Sequence, residues 1–164
     1  MTANDPLPTF AKGGATVLRF SMLLFAIVGL SLFLTGFVYL SVDQFMPYHA
    51  EALQADWSDL DSNSQGLILG LLRGLGSGAA MAGFAVLYMV GTSLVKNPRP
   101  YLVLLPSIAI GYSALLCFAT FTVYVKTPGN PPLFLGIALI AVSSAASIGL
   151  VLSQRDRDAV QYSG

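Results

Sequence analysis

Charged residues are scarce in this sequence. Eight lysines and arginines and eight aspartates and glutamates make up only 10% of the 164 residues. Soluble globular domains carry about 25% charged residues, so this chain lacks the polar surface that a water-soluble fold needs. With 55% hydrophobic residues and a mean hydropathy of +0.72, the composition predicts a membrane protein.

Three further shortages exclude classes of site. The formal net charge is zero, and without a basic surplus the chain shows no footprint for nucleic acid. A single cysteine, Cys117, excludes an intrachain disulfide framework, and a single histidine, His49, excludes bis-histidine ligation within one chain. We therefore predict no metal site, no cofactor and no nucleic-acid partner.

Long intervals without charge locate the membrane spans. Intervals of 23, 22, 26 and 28 uncharged residues follow Arg19, Arg73, Arg99 and Lys126. About 20 apolar residues in a helix cross a bilayer core of roughly 30 Å, and a helix satisfies its own backbone hydrogen bonds in hydrocarbon. The sequence predicts an all-α membrane protein with four transmembrane helices, at about 18–41, 66–95, 101–125 and 133–153.

The connections predict how these helices are arranged. Proline-containing turns at 97–100 and 127–132 are short, and short connections make consecutive helices antiparallel neighbours. We therefore expect an up-down-up-down four-helix bundle as one transmembrane domain over 18–153. The 42–65 connection is longer, and Pro47 followed by helix-forming residues predicts a short amphipathic helix in it.

The distribution of charge predicts the orientation. The 42–65 loop holds five acidic residues and no basic one, whereas six of the eight basic residues flank the opposite ends of the spans. By the positive-inside rule, the loop lies outside, and the tails 1–17 and 154–164 are cytoplasmic in a multi-pass inner-membrane protein. The six basic residues are Lys12, Arg19, Lys96, Arg99, Arg155 and Arg157.

Arg73 is the ionisable residue without an obvious topological role. It lies within the second predicted helix, near its outer boundary. Two readings stay open: the side chain extends to headgroups or pairs with a loop carboxylate, or it holds a ligand oxygen in an outer-leaflet pocket. In the second reading, the candidate ligand-binding residues are Arg73, His49, Tyr48 and Glu51.

Small residues recur every four positions along the second helix. Such residues let helix backbones approach closely in lipid, so the stripe predicts a helix-packing interface. Packing within the monomer is one reading, and contact with a second copy or another membrane protein is the alternative. The stripe consists of Gly66, Gly70, Gly74, Gly78 and Ala82.

The layout resembles that of small uncharacterised bacterial inner-membrane proteins of the DoxX-like kind. The points of similarity are four spans, an extracytoplasmic segment after the first, and the Arg73–Gly74 pair in the second. The resemblance implies a compact bundle with a small-molecule or redox association.

No nucleophile–base pair is visible in the sequence, so we predict that the protein is not an enzyme. The favoured hypothesis is a structural or accessory subunit that associates through its helix faces, with the bilayer and a membrane protein or a second copy as partners. The alternative is a small carrier or a binder of a lipophilic ligand, a lipid or quinone, with its site near Arg73.

Overall fold

The computed structural model describes residues 9–93 and 101–162, with the side chains of 13–93 and 101–155. Five α-helices and one 3₁₀ turn account for most of these residues, and no strand occurs among them. The helices are α1 (Thr9–Ser41), α2 (Pro47–Leu53), α3 (Ser62–Ser93), α4 (Tyr101–Lys126) and α5 (Leu133–Tyr162), and the 3₁₀ turn is Trp57–Asp59.

Four helices are long and apolar enough to cross a membrane. Their apolar segments are Gly13–Ser41, Ser62–Ser93, Tyr101–Lys126 and Leu133–Arg155. The prediction of an all-helical chain with four such helices is therefore confirmed.

The helices extend beyond the predicted spans. Helix α1 begins at Thr9 rather than near residue 18, α3 begins at Ser62 rather than 66, and α5 continues to Tyr162. An apolar interval in the sequence shows only the part of a helix that can lie in the hydrocarbon core of a bilayer. The helix itself continues until a cap or a helix-breaking residue ends it. The predicted turn at 97–100 and the tail residues 1–8 lie outside the described residues.

A carboxylate begins α3. Asp61 Oδ1 accepts hydrogen bonds from the backbone N–H groups of Asn63, at 2.9 Å, and Ser64, at 3.1 Å. These groups are among the helix-terminal donors that have no partner within the helix. Gln65 donates from Nε2 to the carbonyl of Trp57, at 2.8 Å, which ties the start of α3 to the 3₁₀ turn.

The four long helices pack in the cyclic order α1, α3, α4, α5. Helix α1 packs most extensively against α3 and α5, α4 packs against α5, and the α3–α4 pair is the least extensive of the four neighbouring pairs. Every long helix contributes to one apolar core. Its fully buried members are Phe25, Val28, Leu32, Val86, Leu105, Ala109 and Ala146.

Glycines allow α1 and α3 to approach closely. A Cβ built on Gly83 would lie 2.6 Å from the carbonyl oxygen of Gly29, and one on Gly76 would lie 2.9 Å from that of Gly36. Higher residue numbers on α1 thus meet lower numbers on α3, so the two helices run in opposite directions. Backbone contact of this kind requires small residues.

Candidate ligand-binding site

Helix α2 lies against one end of the bundle and is fixed by local bonds. Pro47 occupies its first turn, where a missing N–H costs nothing. The backbone N–H of Met46 donates to Nδ1 of His49, at 3.1 Å. Gln54 ends the helix in the left-handed conformation, with φ of 54°. Helix α2 lies within the 42–65 connection, and an amphipathic helix on the outer side of the membrane stays a prediction.

The connection between α4 and α5 packs directly beneath α2. A Cβ on Gly129 would lie 2.6 Å from the carbonyl oxygen of Tyr48 and 2.8 Å from Cβ of Ala52. The backbone N–H of Asn130 donates to Glu51 Oε2, at 3.3 Å. Glycine at position 129 is therefore what permits α2 to sit this close to the bundle.

A cavity of about 180 Å³ lies between α2 and the four long helices. Its walls are predominantly apolar, and none of the described residues that line it is charged. Five of them carry a polar side-chain group, namely Thr35, Tyr39, Tyr48, His49 and Thr120. The apolar part of the lining consists of Leu75, Leu116, Ala119, Val123, Pro131, Pro132, Leu135, Gly136 and Leu139.

Two tyrosines meet at the cavity. The hydroxyl groups of Tyr39, on α1, and Tyr48, on α2, hydrogen-bond to each other. Burial, and to a lesser extent the hydrogen bond with Tyr39, raises the pKa of the Tyr48 phenol well above its usual value. This phenol therefore keeps its proton at neutral pH. Only one of the two hydroxyl protons is used in the mutual bond, which leaves the other free to donate.

His49 supplies a second donor. Burial lowers the pKa of its imidazole below 6.5, because an apolar environment disfavours the charged form. With Nδ1 accepting from Met46, the neutral ring carries its proton on Nε2. That Nε2–H has no hydrogen-bond partner among the described residues. The ring packs against Tyr48 with 4.1 Å between centroids.

Thr35 differs from most hydroxyl residues in the long helices. Elsewhere the hydroxyl typically donates to a carbonyl three or four residues earlier, as Thr120 does to Leu116 and Ser31 does to Ile27. Thr35 lines the cavity, and its hydroxyl has no hydrogen bond to any residue that the structure describes. The cavity therefore gathers three unused polar groups, from Thr35, from His49 and from the tyrosine pair.

The predicted site residues separate into two groups. Tyr48 and His49 line the cavity, whereas Glu51 is exposed and holds the 127–132 connection through Asn130. Arg73 is exposed, does not line this cavity, and forms no ion pair with the described residues.

The depth of Arg73 follows from its neighbour Gly76. A Cβ on Gly76 would lie 3.1 Å from the backbone nitrogen of Leu40, close to the end of α1. Arg73 comes three residues earlier, about 4.5 Å further along the axis toward α2. It is therefore level with the end of α1 rather than with the middle of the bundle.

Most of the glycine stripe contacts no other helix among the described residues. Gly66, Gly70 and Gly74 are exposed, and a Cβ on any of them would meet no described residue within 4 Å. Whether these three glycines form a packing interface stays a prediction. Gly78 makes room for the hydroxyl of Tyr112, 2.8 Å from a built Cβ, and Ala82 packs against the core.

Tyr39 and Thr35 are site residues that the sequence did not single out. Each lies within the first apolar run, where a tyrosine at a helix end is typical of an interfacial anchor. Their role depends on α2 folding back over α1, which no local pattern encodes. Among the described residues no group of three histidine, cysteine or acidic side chains is placed to hold a metal ion.

Comparison with protein-family models, curated proteins and solved structures gives no match to this chain. The resemblance to DoxX-like proteins therefore stays a prediction, and the geometry of the cavity is what indicates a function.

Proposed function

We propose that this chain is a multi-pass membrane protein that binds an uncharged lipophilic molecule through a hydrogen-bond-accepting oxygen. The observation that carries the proposal is a single cavity with apolar walls, no charge among its described lining residues and three unused polar groups. Lipophilic sites typically combine apolar walls with a few polar groups that fix the orientation of the ligand. The proposal assigns no reaction to the chain.

The topology we propose is the up-down-up-down bundle in a bacterial inner membrane, with both termini cytoplasmic. The acidic loop that contains α2 then faces outward, as the positive-inside rule requires. Arg73, level with the end of α1, extends to the outer headgroups in this arrangement. The cavity opens in the outer leaflet, within reach of molecules dissolved in the bilayer.

The preferred head group is a carbonyl. Nε2–H of His49 and the free phenolic proton of the tyrosine pair are both donors, so they match the lone pairs of a ketone or quinone oxygen. An anionic head would need a cationic partner when buried, and the described walls of the cavity hold none. This argues for a neutral ring with a carbonyl oxygen rather than a phospholipid head.

Calorimetric titration of the purified chain in detergent tests the proposal. Tetramethyl-1,4-benzoquinone presents two carbonyls on a ring without open positions, so it cannot add to Cys117, while tetramethylbenzene has a similar shape and no oxygen. We expect the quinone to bind more tightly by about fivefold for each hydrogen bond formed, at about 1 kcal/mol per bond.

Three variants identify the side chains that cause the preference for the quinone. The double variant Tyr39→Phe/Tyr48→Phe and the single variant His49→Phe should each reduce the preference for the quinone over the hydrocarbon, because each removes a donor. Arg73→Gln is the matched control, since Arg73 does not line the cavity, and should keep the preference. Equal binding of the two probes by the unmodified chain would refute the proposal.

A second candidate function is that of an accessory subunit. It is favoured by the exposed face of α3 around Gly66, Gly70 and Gly74, which no described residue of this chain covers. Small residues that face lipid allow close helix association. Gly70→Leu should then lower the sedimenting mass of the protein in mild detergent, and an unchanged mass would exclude association through this face.

A further inference from the structure

A second cavity lies on the other side of His49. It has a volume of about 320 Å³ and is formed by α2, α3 and the end of α4 with the residue that follows it. His49 and Val123 line both cavities, so the two cavities adjoin at these two side chains. The remaining lining residues are Ala52, Leu53, Ile68, Leu71, Leu72 and Thr127.

The walls of the second cavity suit a hydrocarbon. Apart from His49, its one polar side chain among the described residues is Thr127. The hydroxyl of Thr127 donates to the carbonyl of Val123, at 2.8 Å, and accepts from the N–H of Gly129, at 3.2 Å. Its hydrogen bonds are thus made within the protein, and the cavity presents mainly aliphatic surface.

The first cavity is too small for a molecule with a long chain. Its volume is about 180 Å³, and an engineered protein cavity of roughly 150 Å³ holds one benzene molecule. A substituted ring therefore fills it. The apolar chain that keeps such a ring dissolved in a bilayer must lie outside this cavity.

The second cavity opens on the outside of the bundle. Leu71, in its wall, is 66% exposed, and the cavity lies where α3 and α4 meet, the least extensive of the neighbouring helix contacts. An opening at this position faces the surroundings of the bundle, which are lipid in the proposed topology.

We propose that the second cavity binds the apolar chain of the ligand whose ring occupies the first, and that the ligand enters from the bilayer between α3 and α4. This inference rests on the proposed function. Two observations favour this occupant: the two cavities adjoin at His49 and Val123, and the second is the larger of the two, at about 320 Å³ against about 180 Å³. The ligand class is a carbonyl-bearing ring with a flexible hydrocarbon tail.

Two probes and two matched variants test the inference. The probes are tetramethyl-1,4-benzoquinone and the analogue in which a decyl chain replaces one methyl group, titrated in the same detergent. Leu71→Trp narrows the second cavity. Leu67→Trp is the control, because Leu67 has the same exposed fraction of 66% one turn earlier and does not line the cavity.

With both affinities referred to the free probe in water, we expect the unmodified chain to bind the decyl probe at least about tenfold more tightly, the gain from burying about two methylene groups. Leu71→Trp should abolish this gain and keep the affinity for the short probe, while Leu67→Trp should keep both. If the two probes bind equally to the unmodified chain, or if Leu71→Trp keeps the gain, the chain-binding cavity is refuted and the proposed function stands. If neither probe binds, the proposed function fails as well.

Discussion

Replacing Gly83 by alanine should separate α1 from α3. The added Cβ would lie 2.6 Å from the carbonyl oxygen of Gly29 and 2.8 Å from Cα of Phe33, where ordinary contacts are about 3.5 Å or longer. Both neighbours are backbone atoms, so no rotamer change relieves the clash, and the helices must move apart by several tenths of an ångström.

The magnitude can be bounded against a control on the same helix. Overpacking of this kind costs about 1–3 kcal/mol. Gly74→Ala introduces a Cβ with no described residue within 4 Å, and its higher helix propensity adds up to about 1 kcal/mol of stability. Gly83→Ala gains the same helix propensity, so the two alanine variants should differ in the free energy of unfolding by about 1–3 kcal/mol, the overpacking cost alone, with Gly83→Ala the less stable.

Unfolding by sodium dodecyl sulphate in mixed micelles measures this difference. Trp57 is the sole tryptophan and packs against Phe45 with 5.0 Å between ring centroids, so its fluorescence reports the loss of structure. Equal stabilities for Gly83→Ala and Gly74→Ala would refute the close contact between α1 and α3.

Three further predictions concern the loop side of the bundle. Burial lowers the pKa of His49, so the free energy of unfolding should be highest above about pH 6.5 and fall as the pH drops toward the folded-state pKa. His49→Gln should abolish this dependence on pH, and a dependence that persists in the variant would exclude His49 as its source. Hydrogen bonds from Ser64 and Asn63 lower the pKa of Asp61, so its cap should stabilise α3 above about pH 3.8 and be lost at lower pH. Asp61→Ala should speed hydrogen exchange at the first amides of α3, and unchanged exchange would contradict the cap. Gly129→Ala should displace α2 from the bundle, because its Cβ would lie 2.6 Å from the Tyr48 carbonyl oxygen; binding of tetramethyl-1,4-benzoquinone should weaken, and unchanged affinity in calorimetry would contradict this.

The four long helices were predictable because hydrocarbon imposes a simple rule. A charged side chain is costly in the bilayer core, so uncharged intervals of at least 22 residues mark the spans without any knowledge of packing. The ends of the helices depend instead on capping hydrogen bonds. Asp61 caps the start of α3 through hydrogen bonds from the backbone N–H groups of Asn63 and Ser64, and hydropathy does not show which of several neighbouring polar residues forms the cap.

The packing of α1 on α3 was not predicted, and helix geometry explains why. At about 100° per residue, a four-residue repeat turns about 40° per step and about 160° between Gly66 and Ala82. It cannot stay on one face. A seven-residue repeat drifts by only about 20°, and the glycines in close contact follow it, with Gly29 and Gly36 on α1 opposing Gly83 and Gly76 on α3. The sequence therefore contains the pattern that predicts this contact, as pairs of glycines seven residues apart.

Only the site residues whose position is set by neighbouring residues in the sequence were predictable. Tyr48 and His49 adjoin the helix-starting Pro47 in a short polar loop, so their position outside the spans is encoded nearby. Tyr39 joins them only because the chain reverses between α1 and α2 and brings its hydroxyl to that of Tyr48. Arg73 was the natural candidate for its charge, yet charge drives it to the exposed side of α3.

The shortage of charge that predicts a membrane protein also restricts what its cavity can hold. An ion buried in an apolar site costs several kcal/mol unless a countercharge compensates it. The described walls of the first cavity contain no charged side chain, whereas the imidazole and phenol donors of His49, Tyr39 and Tyr48 remain available to a neutral oxygen. An anionic head would find its cation at Arg73, outside both cavities. Under the proposed function, neutral and anionic ligands would therefore occupy different places on this protein.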